Sequence, residues 1–223
     1  HSSFRIEIGD QVLLVDPWLA GNPVFPGERK EEAVAGATHI LVSHGHFDHA
    51  TDAAALSKET GAPIVAIAEL AGLLESGEGV SVVGFNKGGT VALGEVSVTM
   101  VNAVHSSSIS GDGGPVYSGA EAGFMISHGG RTIYFSGDTD VTADMDVMQA
   151  LHAPEIGILC CGGHFTMDMR RAAYAARTFF DFKTVIPCHY KTFPLLAQSA
   201  QPLADALPGI DVKQPDVMET LEL

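Results

Sequence analysis

Three histidines and an aspartate fall within six residues in the segment His44-Gly45-His46-Phe47-Asp48-His49. Imidazole nitrogen and carboxylate oxygen are the donors preferred by zinc and neighbouring divalent metals. In an extended turn, His44 and His46 point to one side while Asp48 and His49 reach another, so the segment can feed two ions rather than one. A polar loop of solvated histidines accounts poorly for such donor density directly after a strand. Three more groups end strand-like stretches: His105 after Val96–Val104, Asp138 in Ser136-Gly137-Asp138-Thr139, and His189 after Thr184–Cys188. Singly, each has an ordinary explanation as a surface histidine, a turn former or a satisfied core histidine. Together with the first motif they predict a metal centre.

The chemistry this predicts is hydrolysis. Two nearby cations lower the pKa of a water so that hydroxide exists near neutral pH, and they polarise a carbonyl or phosphoryl oxygen. No serine or cysteine nucleophile is needed. Asp48 and Asp138 are the expected catalytic carboxylates, Asp48 orienting the hydroxide or passing a proton to the leaving group. The expected cofactors are two divalent ions, with zinc first and manganese, iron or nickel accepted by the same donors.

The elements that must position these groups can be read in outline. Phe4–Ile8 and Val12–Val15 read as strands, then Pro17–Gly27 is a Gly/Pro-rich loop. Thr38–Ser43 is a strand running into the histidine motif. Thr51 or Asp52 then caps a helix ending near Gly61. Pro63–Ala68 reads as a strand and Glu69–Glu75 as a helix. Strands with glycine turns fill Val80–Val104, and Ser106–Gly119 reads as a loop able to fold over the site. Glu121–Ser127 and Thr132–Phe135 form a hairpin. Helices fit Ala143–Leu151, Asp168–Phe180 and Leu195–Leu207, the last interrupted or restarted by Pro202. Strands fit Ile156–Cys161 and Thr184–Pro187. This is an α/β (α+β) pattern that two helix-covered β-sheets would satisfy, although pattern alone does not separate it from other α/β layouts.

His-x-His-x-Asp-His, followed in order by a His, an Asp and a final His, resembles the signature of the metallo-β-lactamase superfamily. The resemblance implies a four-layer αββα sandwich with the site at one edge. It implies that His44, His46 and His105 bind one metal and Asp48, His49 and His189 the other. Asp138 would bridge both, together with a water or hydroxide. A narrower resemblance covers nearly the whole chain. It rests on Asp16-Pro17-Trp18-Leu19-Ala20-Gly21-Asn22-Pro23, Gly163-His164-Phe165-Thr166-Met167-Asp168 and His189-Tyr190-Lys191-Thr192-Phe193-Pro194. These are similar to a group of uncharacterised bacterial and archaeal metal-dependent hydrolases related to the ascorbate-6-phosphate lactonases. Members of that group begin with a short strand and then Gly-His-Ser-Ser/Ala-Phe. His1-Ser2-Ser3-Phe4 matches this with the first strand missing, a tag remnant being the other reading of His1. Lys191 stands where the group has a small residue.

His164, Thr166 and Tyr190 are candidate substrate contacts, His164 being equally explicable as a loop histidine bonded to backbone. Asp16 and Thr139 are candidates to orient ligating imidazoles. His39, His128 and His152 read as structural, and Cys188 as packing. Tyr174, Phe179 and Phe180 read as the buried face of a helix. Trp18 and Phe25 could serve a homo-oligomeric contact.

Composition bounds the function. The 223 residues carry 27 acidic against 12 basic side chains, a net charge of −15, with 46% hydrophobic and 17% charged residues. One domain spanning residues 1–223 is the simplest reading, since no linker or low-complexity tract divides the chain. The charge disfavours nucleic acid and anionic membranes, while a small anionic substrate remains compatible with bound dications. No apolar run approaches the roughly 20 residues needed to span a bilayer. Three cysteines, two of them adjacent, do not suggest a disulfide framework, so the cytoplasm is the expected compartment.

The expected function is therefore hydrolysis of an ester, lactone or related small-molecule bond. The alternatives are a phosphodiesterase or nuclease of the same superfamily, iron redox chemistry, and a non-catalytic metal-binding protein. Diiron oxygen reductases of the superfamily place Glu where this chain has His46, which argues against the redox alternative.

Overall fold

A computed structural model describes residues 1–223. The first half runs through β1 (Phe4–Ile8), β2 (Gln11–Val15), a single 3-10 turn at Gly27–Arg29, α1 (Lys30–Val34), β3 (His39–Val42), α2 (Phe47–Ala50), α3 (Ala53–Thr60), β4 (Ile64–Ile67), α4 (Ala68–Glu78) and β5 (Val82–Phe85). The second runs through β6 (Thr90–Leu93), β7 (Val96–Asn102), β8 (Ser108–Gly111), β9 (Gly114–Tyr117), β10 (Ala122–His128), β11 (Arg131–Phe135), α5 (Asp144–His152), β12 (Ile156–Cys160), α6 (Met169–Phe179), β13 (Thr184–Cys188), α7 (Gln201–Ala206) and β14 (Asp211–Val212).

Two large sheets result. One has the order β1-β2-β3-β4-β5, the other β14-β13-β12-β11-β10-β7-β6. In each, the strands joined by short turns pair antiparallel, and those joined through helices pair parallel. The parallel strands are buried on both faces, which is why β4 (Ile-Val-Ala-Ile) and β12 (Ile-Gly-Ile-Leu-Cys) are continuous apolar runs. The antiparallel β7 instead alternates buried and half-buried residues along most of its length. Phe85 of the first sheet stacks on Phe124 of the second, Phe124 on Phe135, and Phe135 against Phe4 of the first, each pair within 6.4 Å. This aromatic row crosses the seam between the sheets. Helices α3 and α4 pack on the first sheet and α6 on the second, giving the αββα layers.

Helix α6 shows how tightly one outer layer sits. Asp168 caps it, its Oδ1 accepting from the Arg171 N–H at 2.7 Å. Its inner face is Met169 followed by Ala172, Ala173, Ala175 and Ala176, and the small alanines let the backbone approach β12. Tyr174, expected on that face, is exposed, whereas Phe180 is buried beside Tyr134 and Phe182.

Four expectations need correction. Ser106–Gly119 is not plain loop, because β8 and β9 pair into a separate two-stranded hairpin. Leu195–Ala200 is not helical, and α7 begins only at Gln201 with Pro202 in its first turn. The preceding segment instead folds back through Lys191 N–H to Ala197 O and Ala197 N–H to Gly162 O. Asp52 precedes α3 but makes no side-chain cap. Its Oδ2 accepts instead from Leu19 and Ala20 N–H at 2.6 and 2.8 Å, tying the first loop to the histidine motif. Trp18 is buried against Phe47 and Phe193 rather than free for a subunit contact.

Candidate metal centre

The expected metal donors converge where strands of both sheets end. His44 and His46 leave β3, and Asp48 and His49 lie in α2. His105 follows β7, Asp138 follows β11 and His189 follows β13. The backbone is forced into place there. Asp16 and His189 hold left-handed conformations at φ 44° and 58° without being glycine. Such strain persists where surrounding contacts dictate it, and it concentrates at functional sites. Gly137, at φ 58°, lies so close to the Ala122 carbonyl that no Cβ would fit, so a glycine is required immediately before Asp138.

Asp138 is the hub. Its Oδ2 lies 3.1 Å from His189 Nε2, 3.3 Å from His49 Nε2, 3.6 Å from His105 Nε2 and 4.0 Å from His44 Nε2. On one side His46 Nδ1 stands 3.1 Å from His44 Nε2 and 3.3 Å from His105 Nε2. On the other, Asp48 Oδ2 lies 3.5 Å from His189 Nε2 and 3.9 Å from His49 Nε2. Donors about 2.0–2.1 Å from a tetrahedral zinc are roughly 3.3–3.4 Å apart, and the spacings here bracket that value. Three overlapping groups have donor atoms close enough to hold an ion: His44, His46 and His105; His1, Asp48, His49 and His189; and Asp16, His44 and His49, whose Asp16 lies behind the rings.

Orphaned polar atoms test the fit. His49 Nε2, His189 Nε2 and Asp138 Oδ1 are buried without a hydrogen-bond partner, even though His189 Nε2 approaches Asp138 closely. Buried polar atoms are rarely left so. All three belong to the donor set, so the residues present suit divalent ions.

Partners behind the rings fix which nitrogen faces inward. Asp16, fully buried, accepts at Oδ2 from the Ser43 hydroxyl at 2.5 Å and lies 2.7 Å from His49 Nδ1. Its Oδ1 accepts from the Ser43 N–H at 2.7 Å. With its proton committed to Asp16, the Ser43 hydroxyl accepts from His44 Nδ1 at 3.0 Å. Both rings therefore carry a hydrogen on Nδ1, so that in the neutral form of each the Nε2 lone pair faces the centre. Thr139 has no such role, since its hydroxyl accepts from Val104 N–H and donates to Asp140 O.

Charge divides the imidazoles. Burial, with His49 adding to it, holds His44 well below the ordinary histidine pKa. Burial and His105 lower His46, and burial lowers His105 against the pull of Asp138. Burial opposes charging of His49 too, but Asp138 and Asp16 outweigh it and hold that ring well above the usual value. His189 is raised in the same way by Asp138 and Asp48. Asp138 is held well below the carboxylate range despite burial, by His49 and His189, and Asp48 is lowered by the same two rings. The buried carboxylates draw positive charge into the centre.

Beside the centre, Val104, Thr139, His164, Thr166 and Arg171 help line a polar cavity of about 360 Å³. His164 and Thr166 share this cavity with Thr139, the residue after Asp138. Tyr190 is not among the lining residues. It is buried, with Lys191 Nζ 5.4 Å from its ring. His39 pairs with Gln11 and His128 with the Glu95 carbonyl, as structural histidines do. The three cysteines are free and buried, and burial raises all three thiols, Cys160 to about 12, so none is a ready nucleophile.

One residue at the centre was absent from the expected donor set. The His1 side chain is fully buried, with Nε2 2.9 Å from Asp48 Oδ2 and Nδ1 2.8 Å from Thr192 Oγ1. The signal for it was the match of His1-Ser2-Ser3-Phe4 to the related group's opening motif.

Known proteins resemble this chain. A family model described as a β-lactamase superfamily domain matches residues 11–190. A UPF0173 metal-dependent hydrolase of Dinoroseobacter shibae is 73% identical over 223 residues, covering 100% of this chain and 97% of that protein. A protein of the same description from Paracoccus denitrificans is 58% identical with the same coverage. Igni18, a metallo hydrolase of Ignicoccus hospitalis, superposes with a TM-score of 0.86 at 29% identity, covering 99% of this chain and 94% of that one. With its donor cluster, its αββα layers and these relatives, the chain belongs to the metallo-β-lactamase superfamily and, within it, to the UPF0173 metal-dependent hydrolases.

Proposed function

We propose that this hydrolase holds two divalent ions, zinc first among them, and cleaves an ester, lactone or related bond in a small molecule. The observation that carries the reading is the position of Asp138 Oδ2, within 4.0 Å of imidazoles from both donor clusters. His44, His46 and His105 would hold one ion, Asp48, His49 and His189 the other, and Asp138 both. Paired ions supply Lewis acidity and lower the pKa of water toward neutrality.

The chain's own groups do the rest. Asp48, mostly buried at the edge of the centre, orients the attacking water and returns a proton to the leaving group. His164 and Thr166 offer hydrogen bonds to substrate in the polar cavity. The β8–β9 hairpin is tied to the histidine motif by the Ser107 hydroxyl, which accepts from Gly45 N–H at 3.1 Å and meets Ser118 at 2.8 Å. From there it can limit water access to the centre. Three free cysteines fit a reducing cytoplasm. No helix is long and apolar enough to cross a membrane.

The test is metal analysis of protein purified without added metal, followed by ester, lactone, thioester and phosphodiester substrates. Two ions per chain and turnover of carboxylic esters or lactones are expected. Asp138→Ala should reduce kcat/KM by at least about a thousandfold, since it removes a donor shared by both ions. One ion per chain, or a strong preference for phosphodiesters, would overturn the reading.

A further inference from the structure

Asp48 is the one carboxylate of the second cluster, and it stands on a helix of only four residues. Little in that short turn fixes its side chain. What meets it is an imidazole 47 positions earlier in the sequence. His1 Nε2 lies 2.9 Å from Asp48 Oδ2, and His1 Nδ1 lies 2.8 Å from the Thr192 hydroxyl. The ring is packed against His189 at 3.9 Å, Trp18 at 5.3 Å and Phe193 at 5.5 Å, so it has no room to rotate away. The main chain of the same residue is tied to another donor, its carbonyl accepting from the His189 N–H at 2.9 Å.

We propose that His1 is a positioning residue for the second metal site, donating through Nε2–H to Asp48 while its backbone fixes His189. An ionised carboxylate only accepts hydrogen bonds, so the hydrogen between the pair sits on His1 Nε2. The Thr192 hydroxyl, 2.8 Å from Nδ1 and 3.2 Å from the Tyr190 carbonyl, holds the far side of the ring and completes the contact chain Thr192–His1–Asp48. With its Nε2 lone pair committed to a hydrogen, His1 acts on the ion through Asp48 rather than as a further ligand. One carboxylate oxygen of Asp48 is thereby held toward His49 and His189, the geometry a shared ion requires. The proposal rests on the paired-ion reading above.

The test compares wild type, His1→Ala, His1→Gln and Thr192→Val in the full-length protein, loaded with cobalt or zinc. Affinities are read by chelator competition and site geometry by the visible spectrum of the cobalt form. His1→Ala should weaken the second ion by about ten- to a hundredfold and leave the first unchanged, the usual cost of removing a partner of a ligand. Its cobalt spectrum should change in only one of two components. Gln places an amide N–H near the Nε2 position and should restore most of the affinity. Thr192→Val, a small change remote from the ions, should weaken the second ion by a few fold.

Wild type binding two ions with His1→Ala indistinguishable from it in affinity and spectrum overturns the role of His1 alone. His1→Gln as poor as His1→Ala overturns positioning in favour of direct ligation. Fewer than two ions on wild type overturns the paired-ion reading whatever the variants do. Should His1→Ala not fold, Gln and Thr192→Val decide the question: wild-type second-ion affinity in Thr192→Val together with loss in Gln overturns the contact chain.

Discussion

At the scale of single residues, the centre works by dividing similar side chains into different charge states. His44 and His49 are both fully buried, only five positions apart, and their rings lie 4.2 Å apart. Yet one is held neutral and the other toward the charged form, because burial and the neighbouring His49 prevail over Asp138 at His44, whereas Asp138 and Asp16 together outweigh burial at His49. On the proposed two-ion reading, this predicts how bound ions would respond to pH. A divalent ion takes neutral imidazole, so binding at His49 and His189 must expel protons that their raised pKa values favour. As pH falls, these two rings protonate first, and the Asp48–His49–His189 cluster loses its ion first. His44, His46 and His105 have lowered pKa values, stay neutral further into acid, and keep theirs longer. Chelator competition between about pH 8 and pH 5.5 should therefore show two separate losses. Calorimetry in buffers of different ionisation enthalpy should show net proton release on binding. Simultaneous loss of both ions would contradict the division.

At the scale of elements, the strand ends deliver the donors and the helices hold the strands in register. Short loops leaving β2, β3, β11 and β13 carry Asp16, His44, Asp138 and His189, so a shift in any of these strands would move a donor. The alanine face of α6 lets that helix lie close on the second sheet. Ala176→Leu should destabilise the fold by about 1–3 kcal/mol through overpacking, while metal content per folded chain stays the same. Thermal unfolding with metal analysis of the folded fraction checks both halves of that statement. The elements the sequence reading missed share one physical trait, weak local signal. Strands β8 and β9 are short, glycine-flanked and mostly exposed, so no apolar alternation marks them. Helix α1 is a five-residue turn following directly on the 3-10 turn Gly27–Arg29. The stretch before α7 has helix-forming residues but is folded back by hydrogen bonds to Gly162 and Lys191, partners distant or adjacent in ways periodicity does not record.

At the scale of the whole molecule, the electrostatic field has two levels. The surface carries a net charge of −15, while the centre gathers imidazoles around three buried carboxylates. By this field a phosphate backbone would meet the acidic surface first and be repelled, and Arg171, the cation at the cavity, is already paired with Asp140 at 2.8 Å. Single-stranded RNA labelled with a fluorophore should show no binding by anisotropy even at about 50 mM salt, where phosphate contacts are strongest. Saturable binding would return the nuclease alternative to first place.

The sequence by itself determined which atoms could do chemistry. Ligand types are local properties, and His44, His46, Asp48 and His49 stand so close in the chain that any turn after β3 gathers them. The order of the later donors, each ending a strand, also followed from pattern and resemblance. Tertiary structure alone decided the rest. That Asp138 sits among four imidazoles, that Asp16 sets the tautomers of two rings, and that His1 meets Asp48 from 47 positions away all depend on how two sheets close against each other. A hydrogen bond is directional and reaches about 3 Å, so its partners are settled only when distant strands are brought into register.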